Sequence, residues 1–313
     1  MVSSLFPVRR SYQNGLSFHQ AELSNHYIDY IPQSREKLII TFEGSEPKHK
    51  MDAWQRPPWG GAALIRQGHS VLAVKHKQAD WYRAKDLHMF FRSPAFQDVL
   101  KAHGQVYLYG SSMGGYAALA FSAAVPGAHV LACCPQSTMD PQRVPFDKRF
   151  PVASRQKWNG FFADAAESMT KEGRIYVAFD PFYPPDYYHV ERLPKDKIVS
   201  LKAPFFQHDI LKPLIDLGLI QEMVVQFLNG TLEEWFPKAL RKRKTHHIYA
   251  ATAHFHCALR HYRMGEKEAA EQYLQQSLGA FPSCQVSLLL AECMKQGRAF
   301  NWPDFALKKP GSL

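Results

Sequence analysis

From residue 38 onward the chain alternates short apolar runs with longer polar or amphipathic segments. The runs occupy residues 38–42 (LIITF), 71–75 (VLAVK), 106–109 (VYLY), 129–134 (HVLACC), 174–179 (RIYVAF) and 198–201 (IVSL). Each is too short for a helix, is rich in β-branched or aromatic residues, and is soon followed by Gly, Pro or Asp, which are strand-and-turn signals. Runs that are apolar throughout predict strands buried on both faces. The alternation with helix-like segments predicts an α/β fold: three layers, with helices on both sides of a mostly parallel central sheet. The first 37 residues predict an antiparallel edge, around residues 16–18 and 27–31.

The pattern changes after Asn229. Between residues 246 and 295 small and apolar residues recur at helical spacing: Ala250, Ala251, Ala258 and Tyr262, then Ala269, Ala270, Tyr273, Leu274 and Leu278. Gly265 separates the two sets and Pro282 follows the second, predicting two antiparallel helices and a further one over 285–296. The expected organisation is therefore one α/β domain over residues 1–230 and a small helical region over 231–313. Between the fourth and fifth strands the stretch 135–171 is long and irregular. It carries Arg143, Lys148, Arg149, Arg155, Lys157, Trp158, Phe161 and Phe162, and long insertions of this kind tend to be lids or binding loops.

The third run leads into chemistry. It continues as Gly110-Ser111-Ser112-Met113-Gly114-Gly115 and then a small-residue helix. A sharp strand-to-helix turn needs glycines at 110 and 114, and it pushes the side chain of Ser112 out of the fold. The backbone N–H of Met113, at the helix start, is aimed at any oxyanion that forms on a substrate carbonyl. A serine hydroxyl needs a base to take its proton, and the base needs an acid to fix its tautomer. Asp180 follows the fifth run directly and His208 follows the sixth after a short loop, so both are expected at the sheet edge that carries Ser112. His189 is a second candidate base and Asp140 a rival acid, while Asp186 and Asp209 read as solvated. A second oxyanion donor is expected after the first central strand, in Phe42-Glu43-Gly44-Ser45-Glu46, from the N–H of Gly44 or Ser45.

These residues resemble the α/β-hydrolase superfamily of serine hydrolases over about residues 35–230: strand, glycine-flanked Ser112, helix, then acid and histidine in family order. The resemblance implies a Ser112–His208–Asp180 triad acting on esters or other acyl groups through an acyl-enzyme. The histidine-glycine oxyanion motif of many lipases is missing here. The two helices with their Gly265 and Pro282 resemble one tetratricopeptide-type unit, which cannot stand alone and would pack on the preceding domain or on a protein partner.

Composition narrows the setting. The 313 residues are 46% hydrophobic and carry a formal net charge of +10, enough apolar content for a sizeable core and a charge that favours anionic partners. The densest basic run, Arg241-Lys242-Arg243-Lys244, has no nucleic-acid motif beside it, and no nucleic-acid partner is expected. No apolar stretch is long enough to span a bilayer and the first residues lack a signal-type apolar region. Five sparse cysteines, at 133, 134, 257, 284 and 293, form neither a disulfide framework nor a metal pattern, so a cytoplasmic protein is expected. No metal or organic cofactor is indicated, because the glycine-rich turn also lacks the Lys-Ser/Thr of a phosphate loop. The expected function is a serine esterase or acyl-transfer enzyme acting on a small-molecule, glycan or lipid acyl substrate. The alternative is a non-catalytic binding protein of the same fold that docks a partner through the helical tail.

Overall fold

In the computed structural model, which describes residues 5–12, 15–45, 51–170 and 172–302, the apolar runs are strands. They are β1 (Val8–Ser11), β2 (Ser17–Glu22), β3 (His26–Ile31), β4 (Lys37–Phe42), β5 (Ser70–His76), β6 (Gln105–Ser111), β7 (His129–Cys133), β8 (Ile175–Phe179) and β9 (Ile198–Lys202). Among the described residues they form one sheet in the order β1-β2-β3-β5-β4-β6-β7-β8-β9. β5, β4, β6, β7 and β8 run parallel, and β1, β2 and β3 join antiparallel beyond β5. The expected antiparallel edge is present as β2 and β3; β1, Val-Arg-Arg-Ser, lies outside them and was not expected. All seven residues of β5 and all five of β8 are buried, which is why these strands read as continuous apolar runs.

The strand order fixes where a ligand site can form. After β4 the chain steps to β5 on one side, and after β6 it steps to β7 on the other. Parallel crossovers are right-handed, so the helix Gly61–Arg66 between β4 and β5 and the helix Met113–Phe121 between β6 and β7 are expected on opposite faces. The sheet therefore has its topological switch between β4 and β6, where a crevice opens at the carboxyl ends of the strands. Phe42 pairs with Gly110 in register, so residues 43–45 leave the sheet beside Ser111, Ser112 and Met113.

The chain divides into two compact units. One comprises Met1–Val144, Pro151–Ala178 and His189–Ser200; the other comprises Pro145–Phe150, Phe179–Tyr188 and Leu201–Leu313. The partition crosses the chain several times, whereas the boundary expected at residue 230 is a single cut. In the first unit the stretch 151–163 is held down: Arg83 donates to the carbonyls of Lys157 (3.2 Å), Asn159 (2.9 Å) and Phe161 (3.1 Å), and the Tyr116 hydroxyl donates to Phe162 O. Glu46, Lys171 and residues 303–313 lie outside the described residues.

In the second unit the helices His247–Arg263 and Lys267–Ala280 are joined by three residues, with Gly265 at φ +79°. So short a connection makes neighbouring helices antiparallel. Together with Gln285–Gln296 they close over Ala251, Phe255, Ala258, Leu274, Leu290 and Cys293. Cys284 and Cys293 are core residues there, Cys133 and Cys134 are buried in the sheet, and Cys257 is exposed. No helix of the described residues is long and apolar enough to cross a membrane.

Candidate active site

Ser112 sits between β6 and the helix Met113–Phe121 at φ 54°, ψ −118°. A non-glycine residue in that region is strained, and such strain persists only where the surroundings hold it. Three glycines supply the hold. A Cβ on Gly110 would lie 2.2 Å from Gly114 O, one on Gly114 would lie 2.3 Å from Phe42 O, and one on Gly115 would lie 2.9 Å from Cys133 O. Only hydrogen at these positions lets the helix start drop between the ends of β4 and β7. The Ser112 N–H donates to Cys133 O at 2.8 Å and its carbonyl accepts Tyr116 N–H at 2.9 Å, so the turn is clamped to the sheet on one side and to the helix on the other. Met113 opens that helix, where the first N–H groups have no intrahelical acceptor.

The loop after β4, expected to carry a second donor, begins with Glu43. That carboxylate is buried and turned inward, taking hydrogen bonds from Arg56 Nε (3.0 Å) and Nη2 (2.6 Å) and from His76 N–H (3.1 Å). Its charge is neutralised away from the turn. His76 Nε2 donates to Gly44 O at 2.8 Å. Across the trans peptide the Ser45 N–H then points away from His76. A Cβ built on Gly44 has Ser111 O, at 3.6 Å, as its nearest neighbour, which places the loop against the turn that carries Ser112.

In the second unit His208 meets a carboxylate, and it is that of Asp186. Nδ1 lies 2.9 and 2.8 Å from its two oxygens. Asp186 is fully buried. Burial alone would raise its pKa, but the charges of His208 and Arg149 and their hydrogen bonds hold it below the ordinary carboxylate value. An ionised Asp186 makes Nδ1 the protonated nitrogen and leaves the imidazole lone pair on Nε2. Arg149 donates to Asp186 at 2.9 Å and grips Asp147 with Nε and Nη2, the latter at 2.6 Å. The same guanidinium also faces the ring, with Nη1 3.2 Å from His208 Nδ1. The His208 side chain is 25% exposed, so one edge of the ring remains open to solvent.

Asp180, expected to orient the base, does something else. It is buried and accepts the N–H groups of Phe182 (2.9 Å) and Gln207 (2.7 Å), tying the end of β8 to the loop that presents His208. That loop carries Phe205 at φ 68° and Gln207 at φ 60°, so Asp180 holds a strained backbone. Asp186, expected to be solvated, is buried because Pro184-Pro185 begins a helix, Pro184–Glu191, and the acid falls in its first turn. The signal was in the sequence, since proline favours the first helical position and acids the first turn. Arg149, expected in the lid or binding-loop stretch 135–171, is nearly buried. His189 is fully buried with Nδ1 3.1 Å from Ser137 N and 3.0 Å from its Oγ. Asp140 accepts Gln142 N–H at 3.0 Å.

Burial pushes the Asp180 pKa from 3.8 up to about 7, against its backbone hydrogen bonds. The folded protein therefore keeps a proton here that the unfolded chain gives up near 3.8. Between those values folding takes up a proton, so the contribution of this group to stability is full in acid and falls as pH rises through the window. Asp180→Asn is expected to flatten the melting temperature against pH from about 4 to 7 relative to wild type. An unchanged slope would mean that Asp180 is ionised throughout.

No protein-family model matches the chain, and none of the curated proteins matches it. Solved structures similar to it include the capsule O-acetyltransferase of Neisseria meningitidis serogroup A, at 16% identity and a TM-score of 0.48, over 71% of this chain and all of that one. An esterase/lipase from an uncultured bacterium is similar at 11% identity and a TM-score of 0.47, over 77% of this chain and 90% of the other. An esterase of Pyrococcus furiosus is similar at 14% identity and a TM-score of 0.45, over 71% and 90%.

Proposed function

We propose that the chain is a serine acyl hydrolase or acyltransferase of the α/β-hydrolase type, with Ser112 as nucleophile, His208 as base and Asp186 as the acid that orients it. The observation that carries this reading is the backbone of Ser112, φ 54° and ψ −118°, held by three glycines at the switch point of the sheet. Such strain in a fold serves exposure of a reactive side chain. The order serine, acid, histidine along the chain supports the pairing of Ser112 with His208.

In the proposed reaction His208 Nε2 takes the proton as Ser112 Oγ bonds to the acyl carbon. The oxyanion is held by the Met113 N–H and by that of Gly44 or Ser45, with Ser45 favoured by the direction of its peptide. Collapse expels the leaving group, which receives the proton from His208, and water or an acceptor hydroxyl then releases the acyl group by the same path. The substrate class is an ester or other acyl group on a small molecule, glycan or lipid, handled in the cytoplasm. The hairpin of His247–Arg263 and Lys267–Ala280 followed by Gln285–Gln296 supports a tetratricopeptide-like tail able to dock a protein partner.

A fluorophosphonate probe tests the reading without knowledge of the substrate. Peptide mass spectrometry should find the adduct on Ser112, and Ser112→Ala and His208→Ala should each remove labelling. A folded wild type that stays unlabelled would overturn it.

A further inference from the structure

The loop after β7 places one more polar side chain on the nucleophile. Gln136 is fully buried, and its Nε2 lies 3.3 Å from Ser112 Oγ. Nitrogen suits this position, because Oγ must keep its own proton for the base and has lone pairs to accept with. The other end of the same carboxamide, Oε1, is buried with no hydrogen-bond partner among the described residues. Buried polar atoms are nearly always satisfied, and an orphan in a native fold calls for an explanation other than stability.

The segment around Gln136 is built to hold it there. Cys134 adopts φ 44°, and its N–H is fixed to Ala178 O at 2.7 Å. Gly115 lets Pro135 pack against the helix, since a Cβ there would be 3.2 Å from Pro135 Cα. Ser137 is tied on three sides: its N–H to His189 Nδ1 at 3.1 Å, its Oγ to Arg192 at 2.6 Å, and its carbonyl to Ala165 N–H at 2.7 Å. Arg192 is fixed in turn by Asp164 at 2.5 Å, and Thr138 Oγ1 donates to Ala163 O at 2.8 Å. So much support for a side chain that leaves an unpaired atom behind is the pattern of a preorganised site, in which packing and outer hydrogen bonds lock the groups that touch the reacting atom.

We infer that Gln136 is a further catalytic residue. It donates a hydrogen bond to Ser112 Oγ, directs the hydroxyl toward its base and stabilises the charge that grows on oxygen as the proton leaves; His189, Arg192 and Asp164 are positioning residues for it. The inference rests on the reading that Ser112 is the nucleophile. Gln136→Met keeps the side-chain length and removes both polar ends. It should slow fluorophosphonate labelling of Ser112 and lower kcat for p-nitrophenyl acetate by about 10- to 100-fold, with KM little changed. The melting temperature should stay level or rise, because the orphaned Oε1 is gone. A purely structural role would give the reverse, a lower melting temperature and normal labelling by the folded fraction. Gln136→Leu, which is shorter and also removes both polar ends, should show the same loss of rate and serves if the methionine variant does not fold. Wild-type labelling rates in either folded variant would overturn the role of Gln136 alone. Absence of Ser112-dependent labelling in the wild type would remove the serine reading and this inference with it.

Discussion

Asp186→Asn should lower kcat for acyl hydrolysis by about 10⁴-fold, while Asp180→Asn should lose less than about tenfold. An ionised Asp186 accepts a hydrogen bond from His208 Nδ1–H and so leaves the lone pair on Nε2. An asparagine can turn its NH2 toward the ring, where it makes Nδ1 the acceptor and moves the ring proton to Nε2, the nitrogen proposed to take the proton of Ser112. The carboxylate also compensates the imidazolium formed in the transition state, which a neutral amide cannot do. The fold should survive, because the guanidinium of Arg149 keeps its Asp147 partner, with Nη2 at 2.6 Å, and is not left as an unpaired buried charge. Asp180→Asn, by contrast, weakens the tether between the end of β8 and the His208 loop without touching the ring. Burst and steady-state kinetics with p-nitrophenyl acetate separate the two. Loss of activity in Asp180→Asn with Asp186→Asn near wild type would return the acid's role to Asp180.

That pair of residues also shows where the sequence was legible and where it was not. The runs that form β4, β5, β7 and β8 were readable because a strand buried on both faces has no polar alternation to hide it, as in β5, buried at every position. The turn at Ser112 was readable because its backbone admits only glycine at its crowded points, and glycine is visible in a sequence. The acid was not, because which carboxylate reaches a ring depends on where a local helix begins. A loop reading of residues 181–189 put Asp186 in solvent; the helix begun by Pro184 turns it under His208. Arg149 and Gln136 were missed for a related reason. A polar side chain in an irregular segment carries no periodicity, so burial and partners appear only when the segment is folded against its neighbours. The direction of Glu43 belongs to the same class: it is turned inward by Arg56, thirteen residues on.

Gly114→Ala should destabilise the protein by about 3 kcal/mol or more, since its methyl would enter backbone and not a side chain that can move aside. The added Cβ would lie 2.3 Å from Phe42 O and 2.8 Å from Glu43 O, where real contacts do not occur. Relief requires either lifting the helix Met113–Phe121 off the end of β4 or displacing the loop that carries Gly44 and Ser45. Both movements separate Ser112 from the loop that carries Gly44 and Ser45, so any folded Gly114→Ala protein should also label slowly with a fluorophosphonate. For a domain of about 200 residues the loss corresponds to a fall in melting temperature of about 6–12 °C. Gly279→Ala provides the opposite case within the same chain. Gly279 lies in the helix Lys267–Ala280, is exposed, and has nothing within 4 Å of an added Cβ. Alanine there restricts the unfolded chain and suits the helix, so a gain of about 0.5–1 kcal/mol is expected. Equal and small effects at both positions would mean that the close approach of β4 to the start of the helix is not a feature of the folded protein. Glycine at 114 would then not be what exposes Ser112.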